Sequence, residues 1–105
     1  MDELREILKE TGIPFAYDHF AEGDSPEPPF ICYLLPYSDD FSADGINYLS
    51  IAECRVELYT DAKDPESEAA VEGSLSRHGV FWARSEAWIE SERLLLNIYS
   101  FDMKE

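Results

Sequence analysis

The chain has 105 residues, 45% of them apolar, and this size and composition suit one domain with its own core. Its 8 Lys and Arg against 23 Asp and Glu give a formal net charge of −15, which argues against a basic surface for sequence-specific nucleic-acid binding. No apolar stretch is long enough to cross a membrane, and no secretory signal is visible at the start, so we expect synthesis in the cytoplasm.

The first residues have the spacing of an amphipathic helix. Leu4, Ile7 and Leu8 recur on one helical face, and acidic residues occupy the other positions, which predicts a helix over 2–11. Acids in the first turn favour the positive end of the helix dipole. Gly12 is expected to end the helix.

The next stretch predicts two strands separated by a loop. Alternating apolar residues favour a strand over 13–20, and the glycine and prolines of 21–29 favour an exposed loop. The nearly continuous apolar run 30–35 is typical of a strand covered on both faces, and Pro36 is expected to end it. The polar sequence SDDFSADG over 38–45 predicts a turn.

The segment 46–60 predicts one long strand. In its second half apolar and charged residues alternate, as in an antiparallel strand buried on one face. In its first half Leu49 and Ile51 fall on the otherwise polar face. We therefore expect them to be covered by something other than the chain's own core.

A second helix is predicted from Asp64. This residue is an N-cap acceptor, Pro65 suits the first helical position, and acids follow in the first turn. We expect the helix to reach His78 and Gly79 to close it. Gly73 makes the helix about 1 kcal/mol less stable than alanine would at this position. A close packing contact would be one reason for a glycine here.

Two further strands, 80–88 and 93–101, are predicted with the acidic turn 90–92 between them. The order is then helix, three strands, helix and two strands. Short links between consecutive strands favour an α+β fold. We predict a single two-layer domain over 1–105, with a mainly antiparallel sheet of four to five strands and two helices on one face.

The cysteines and histidines do not predict a cofactor or a metal site. Cys32 and Cys54 lie in apolar runs and are expected to be buried thiols. His19 and His78 are not spaced as metal ligands. His78 is instead expected to interact with the negative end of the second helix.

No catalytic motif is present, so we expect no enzyme and no catalytic residues. The GxSxG sequence and glycine-rich phosphate-binding loops are absent, and acidic pairs such as Glu90 and Glu92 are expected by chance in so acidic a chain. Asp39, Asp40 and Asp44 precede a glycine, but their spacing is not that of a calcium-binding loop. We interpret them as part of an Asp-rich turn.

The charge distribution is the most informative feature of the sequence. Between Lys9 and Arg55 there is no Lys or Arg, whereas nine acids stand in the same interval. Such a surface repels nucleic acid. It is compatible with solubility alone, with a basic partner, or with a passage that DNA crosses without binding.

Three sequence phrases resemble a known family. FSADGINY, ELYTDAKDPESEAAVE, and HGV followed by SEAWIESERLLLNIYSF are similar to small tail-completion or tail-terminator (head–tail joining) proteins of long-tailed phages and prophages of Gram-positive bacteria. The resemblance extends from the first helix to the last strand. It depends on the order of elements and on short phrases, because the family has no catalytic motif to compare.

The resemblance implies a virion protein of the phage neck or tail. It implies a compact α+β subunit that forms a ring with copies of itself, commonly a hexamer, at the head–tail junction or the head-proximal end of the tail tube. DNA passes through the centre of such rings. The implied partners are further copies of the chain and neighbouring neck and tail-tube proteins.

An acidic lumen would let DNA pass, because phosphates would find no cations to bind. We therefore expect the loops 21–29 and 38–45 to be contact segments or to face the lumen, together with the apolar residues after them. The predicted interface or lumen residues are Glu22, Asp24, Glu27, Asp39, Asp40, Phe41, Asp44, Leu49 and Ile51.

The alternative is a different class of protein. An acidic inhibitor or immunity-type protein would use its charge to mimic nucleic acid and occupy the basic site of a partner. A monomer that competes with DNA for a nuclease would favour that alternative. An enzyme whose acids hold a metal is a third hypothesis, which stabilisation by calcium or manganese would favour.

Overall fold

The computed structural model describes residues 2–43 and 46–104, with side chains described for 2–35 and 51–103. Two helices and five strands follow one another in the predicted order. They are α1 (Asp2–Glu10), β1 (Phe15–Tyr17), β2 (Phe30–Ala43), β3 (Ile46–Thr60), α2 (Pro65–Arg77), β4 (Ala83–Ile89) and β5 (Leu94–Lys104).

The strands form one five-stranded sheet in the order β1-β2-β3-β5-β4. β1 runs parallel to β2, and the other neighbouring strands are antiparallel. Buried residues of both helices belong to one core cluster with residues from a single face of the sheet. The predicted α+β fold with a mainly antiparallel sheet is confirmed.

The two helices pack against each other through the residues that the helical spacing selects. Leu4, Ile7 and Leu8 of α1 are fully buried, as are Val71 and Leu75 of α2. Burying a side chain of this kind contributes about 1.5–3 kcal/mol. The helical periodicity of the sequence therefore identifies the core-facing side of both helices.

A buried hydrogen bond also joins the helices. The Ser74 hydroxyl is fully buried and donates to the Ile7 backbone carbonyl at 2.7 Å. Buried polar groups are costly unless they find a partner, so this bond fixes the position of α1 on α2.

The ends of α2 follow the predicted chemistry. Asp64 accepts hydrogen bonds from the backbone N–H and the hydroxyl of Ser67, at 3.0 and 2.7 Å. These bonds hold the pKa of the Asp64 carboxyl below its usual value. At the other end Gly79 has a φ of +72°, and the next N–H donates to the Leu75 carbonyl at 3.0 Å. The predicted start and stop of this helix are confirmed.

Close packing does not account for Gly73. Among the described residues, a Cβ atom built there would meet the Arg77 guanidinium at 3.4 Å, which is ordinary contact with a flexible side chain. The neighbouring elements therefore leave room over this turn of the helix.

We therefore expect Gly73→Ala to raise the free energy of unfolding by about 1 kcal/mol, since alanine restricts the unfolded chain and favours the helix. Urea denaturation followed by circular dichroism measures the change. Gly79→Ala is the matched control: it adds the same methyl group where φ is +72°, so it should destabilise the protein. A loss of stability in both variants would contradict the prediction.

The first predicted strand is shorter than expected. β1 covers only Phe15–Tyr17, because Asp18 adopts a φ of +63° and turns the chain out of the sheet. The following stretch 21–29 contains no helix or strand, as predicted. The parallel pairing of β1 with β2 requires this loop to return along the sheet, which explains its length.

The predicted end of β2 at Pro36 and the predicted turn over 38–45 were wrong. β2 continues to Ala43, and its register shifts between Leu34 and Tyr37, around the proline. β1 pairs with β2 only as far as Tyr33, so the missing N–H of Pro36 removes no bond to that neighbour. Asp44 and Gly45 lie outside the described residues, and Ala43 pairs with Ile46.

The long strand predicted over 46–60 is confirmed as β3. Cys54, Val56 and Leu58 are fully buried against the helices, and the charged residues between them point to the opposite face. In β5 the helix-facing side contains Tyr99 and Phe101. The alternating pattern therefore identifies the buried face of both strands.

An ionic contact at the surface joins the two helices. His78 caps the end of α2, and its Nε2 lies 2.5 Å from the Glu10 carboxylate of α1. Its Nδ1 lies 3.7 Å from the Glu3 carboxylate. The hydrogen bond with Glu10 raises the pKa of His78, and the same bond lowers the pKa of Glu10.

These shifts set the pH range in which the contact stabilises the fold. The raised pKa of His78 adds stability below its unfolded value of about 6.5, which is lost as the pH rises through the folded pKa. The lowered pKa of Glu10 adds stability above about 4.3, which is lost as the pH falls through the folded pKa.

We therefore expect His78→Gln to lower the melting temperature more at pH 5.5 than at pH 8. Thermal unfolding of both proteins at the two pH values measures the difference. Replacing the exposed His19 with Gln serves as the control, because that histidine does not join the helices. An equal loss at both pH values for His78→Gln would contradict the assigned role.

Candidate interaction surfaces

Three of the predicted interface residues lie in the loop that precedes β2. Glu22, Asp24 and Glu27 are all exposed there. Their carboxylates give this loop a negative surface at the end of the sheet where β2 begins.

Five other predicted residues lie in the β2–β3 hairpin: Asp39, Asp40, Phe41, Leu49 and Ile51. Asp44 lies outside the described residues. Ile51 is partly exposed and pairs with Asp39 on one side and with Lys104 on the other. Phe41 lies at a shift in the register between Asp40 and Ser42.

The structure separates these two groups instead of bringing them together. The loop 21–29 precedes the first residue of β2, whereas Asp40 lies ten positions into that strand. At about 3.4 Å per residue this is roughly 30 Å. The two acidic segments therefore belong to opposite ends of the sheet.

The hairpin extends beyond the sheet as a two-stranded arm. Among the described residues β5 pairs with β3 from Ile51 onward, and the pairs described for residues 46–50 are with β2. We call residues 40–43 and 46–50 the arm. The longest dimension of the molecule is 49 Å, and its radius of gyration is 14.9 Å against about 13 Å for a compact domain of this size. The arm makes the subunit elongated.

The two described helices pack on one face of the sheet and leave the other face open. Along each strand, the residues that alternate with the core residues lie on this open face. Most of them are apolar and several are partly exposed, whereas Arg55 and Glu57 are charged. The described residues of the open face include Phe30, Cys32, Leu34, Arg55, Glu57, Tyr59, Leu94, Leu96 and Ile98.

Three side chains with polar groups lie at alternate positions along β3 on the open face. The Glu57 carboxylate lies 3.0 Å from Arg55 Nη2 and accepts a hydrogen bond from the Tyr59 hydroxyl at 2.9 Å. Burial, followed by the bond to Glu57, raises the pKa of Tyr59. Arg55 Nε is buried without a hydrogen-bond partner among the described residues.

Both cysteines are buried, as predicted, and they lie on opposite faces of the sheet. Cys54 belongs to the helix-covered core, whereas Cys32 pairs with Glu57 on the open face. Burial and the neighbouring carboxylates raise the pKa of the Cys32 thiol to about 11. Because the thiolate is the reactive form, Cys32 is a weak nucleophile at neutral pH.

Phe81 is an exposed aromatic residue that the sequence analysis missed. Its exposed fraction is 94%, while Trp82 beside it packs against the core. The residue lies in the connection between α2 and β4 and lines a groove with Met103, whose strand neighbour is Ala52. Phe81 therefore lies at the end of the sheet from which the arm extends. If side chains alternate between the two faces after Gly79, and Trp82 faces inward, Phe81 must face outward. That pattern in the sequence could have identified Phe81 as exposed.

Neither helix is long and apolar enough to cross a membrane, within the part of the chain that the structure describes. Over the same residues, no group of three or more His, Cys, Asp or Glu side chains is arranged to hold a metal ion. The residues that stand out are therefore surface residues of the arm, the open face and the Phe81 groove.

No protein-family model matches the sequence, and no curated protein matches it. The fold is similar to that of a chain in a solved structure of the virion of a native gene transfer agent (GTA) particle, with a TM-score of 0.63. The similarity covers 98% of this chain and 88% of that chain, at 14% sequence identity. At this identity the comparison concerns the fold, which the two chains share over nearly their whole length.

Proposed function

We propose that this chain is a structural protein of a phage or phage-like virion. The observation that carries the proposal is the similarity of the whole fold, over 98% of the chain, to a chain of a gene transfer agent particle. The protruding arm supports it, because the described pairing of residues 46–50 is with β2 and begins beyond the last described pair of β3 with β5. Such an element suits contacts within an assembly.

In this proposal the chain forms a ring with copies of itself, at the head–tail junction or the head-proximal end of the tail tube. The arm faces the lumen. The arm carries Asp40, and in the sequence it belongs to an interval without any Lys or Arg that also contains Asp39 and Asp44. A lumen with this charge repels the phosphates of passing DNA and offers them no ion pairs.

The contact between subunits is proposed at the base of the arm. Phe81 projects there with 94% of its surface exposed, and Ile51 is partly exposed at the same end of the sheet. Aromatic residues that bury fully in a partner commonly dominate the free energy of binding. In this contact the neighbouring subunit also covers Ile51, which the core of its own subunit does not cover.

The virion assignment is tested by mass spectrometry of particles purified on a density gradient from the strain that encodes the chain. We expect peptides of this protein at a constant ratio to the major tail protein. Particles that contain the other neck and tail proteins but lack this chain would overturn the proposal. Competition of the monomer with DNA for a nuclease would support the acidic inhibitor instead.

We expect Phe81→Ser to prevent ring assembly while leaving the fold intact, because the exposed ring contributes to binding and not to the core. Sedimentation velocity and negative-stain electron microscopy measure assembly, and circular dichroism measures folding. Tyr17→Ser is the matched control, since Tyr17 is 52% exposed on β1, at the opposite edge of the sheet. Rings formed normally by the Phe81 variant would contradict the proposed contact.

A further inference from the structure

A cleft of about 330 Å³ opens at the end of the sheet opposite the arm. Phe30, Cys32 and Tyr59 contribute to it from the starting end of β2 and the last residues of β3. The loop after β1 forms one wall, and the β4–β5 turn forms the other. Ligand pockets in proteins begin at about this volume, so the cleft is large enough for one side chain of a partner.

Rigidly held aromatic rings line the cleft. Phe30 stacks on Tyr59 with ring centroids 5.0 Å apart and an angle of 18° between the planes. Phe20 meets Phe30 edge-on at 5.6 Å and 88°. All three rings line the cleft, so the ligand must offer a flat or apolar group.

The charged residues of the cleft have one sign. Asp18 lies on the loop wall and Glu92 on the turn wall, and the described residues that line the cleft include no Lys or Arg. His19 lies on the same loop, with its Nδ1 2.8 Å from the Asp18 carboxylate. Burial, followed by the nearby carboxylates of Glu57 and Asp18, raises the pKa of the Cys32 thiol, in keeping with the negative side chains on the cleft walls.

We infer that this cleft binds an arginine side chain, flanked by apolar residues, of a neighbouring virion protein. The guanidinium is planar and stacks on aromatic rings, while its N–H groups bind carboxylates, so it matches both features of the cleft. The apolar residues on either side of the arginine would contact the apolar residues of the open face next to the cleft. The nature of the partner depends on the proposed virion function, whereas the chemistry of the cleft does not.

A second copy of this chain is a poor candidate for the occupant. Each copy has a net charge of −15, so it would approach the acidic cleft with the same sign of charge. Four of the chain's eight Lys and Arg, namely Arg55, Lys63, Arg77 and Arg84, already pair with carboxylates of their own subunit. Charge complementarity therefore favours a basic segment from another protein.

The test uses the isotopically labelled full chain and a blocked peptide of sequence Gly-Leu-Arg-Leu-Gly. Amide chemical shifts recorded during titration are expected to move saturably at Ser25, Cys32 and Glu92. The same peptide with citrulline in place of arginine is isosteric and neutral, and we expect it to bind at least about fivefold more weakly. Raised salt should weaken binding of the arginine peptide, because the contact is ionic.

The double variant Asp18→Asn and Glu92→Gln is expected to reduce the affinity by about fivefold to tenfold. Asparagine tolerates the φ of +63° at position 18, so the loop should keep its conformation. The matched control, Glu22→Gln and Glu90→Gln, removes the same charge from the same loop and turn outside the cleft, and should change the affinity less than about twofold.

Three results would overturn the inference: no saturable shifts at the cleft, equal affinity for the citrulline peptide, or an equal loss in the control variant. Shifts at the cleft that depend on protein concentration without peptide would identify a second copy as the occupant and also overturn it. None of these results depends on whether the chain is found in virions. The particle analysis therefore tests the proposed function separately.

Discussion

Replacing Glu68 with alanine is expected to lower the free energy of unfolding by about 2 kcal/mol, a large loss of stability for a single charged residue. Glu68 is a carboxylate of α2 that is only 5% exposed. Its two oxygens accept from Arg84 at 2.7 Å and from Lys63 at 2.9 Å. They therefore connect α2 to β4 and to the segment that precedes the helix.

The same carboxylate is a partner of a fully buried amide. Asn97 Nδ2 donates to Glu68 Oε2 at 3.4 Å, and Asn97 is 0% exposed. Its Oδ1 has no hydrogen-bond partner among the described residues, and its other hydrogen-bonding carboxylate is that of Glu86. Removal of Glu68 would therefore take a partner away from a buried amide that is already incompletely bonded. A buried polar group without partners costs about 1–3 kcal/mol. The two cations are 39% and 51% exposed, so water limits the cost of losing their bonds.

Chemical denaturation in urea measures the change in the free energy of unfolding. Glu66→Ala is the control, because Glu66 lies in the same helical turn and is exposed; we expect a change within about 0.5 kcal/mol. A loss for Glu68→Ala no larger than that of the control would contradict the assigned role of the carboxylate.

Replacing Asp39, Asp40 and Asp44 with lysine is expected to reduce the titre of infectious particles by several orders of magnitude while particles still assemble. This prediction follows from the proposed lumen. Each lysine would give passing DNA a cation to bind, and each phosphate contact adds to a salt-dependent affinity that slows DNA movement. Plaque titre and electron microscopy of the particles are the two measurements.

Two controls separate the lumen from a general effect of charge. Lysine at Glu6, Asp61 and Glu66 makes the same change in charge at exposed positions of the helix layer and its neighbouring loop, and should leave the titre close to normal. Asparagine at positions 39, 40 and 44 removes charge without adding cations and should be tolerated. A normal titre with the three lysines at positions 39, 40 and 44 would overturn the proposed acidic lumen.

The sequence predicted the helices accurately because their signals are local. The spacing of Leu4, Ile7 and Leu8 selects the buried side of α1. Asp64 and Gly79 mark the boundaries of α2 through hydrogen bonds and a backbone conformation that involve only a few neighbouring residues. Such signals need no knowledge of the rest of the fold.

The errors occurred where pairing between distant segments outweighs local preference. Pro36 and the polar residues after it predict the end of a strand, yet β2 continues, because β3 resumes pairing with it after the proline, from Tyr37 to Ala43 with one further shift in register. The proline is tolerated because β1 stops at Tyr17 and leaves that edge of β2 open. Neither fact is visible in the sequence around position 36.

The candidate interaction surfaces, like the fold, could be predicted from the sequence only in part. The acidic character of the interval from Glu10 to Glu53 and the exclusion of a basic nucleic-acid surface follow from composition alone. Strand order and register decide that the loop 21–29 and the arm lie at opposite ends of the sheet. The same order places Phe81 near the arm and opens the aromatic cleft at the other end.

By itself the sequence determined the α+β class, the order of the elements, the buried faces of the helices and the sign of the charge, because these properties depend on residue types at short spacing. The tertiary structure decided how far the hairpin extends, which face of the sheet stays open and which exposed groups lie together. Those properties depend on contacts between residues far apart in the chain, which no local pattern contains.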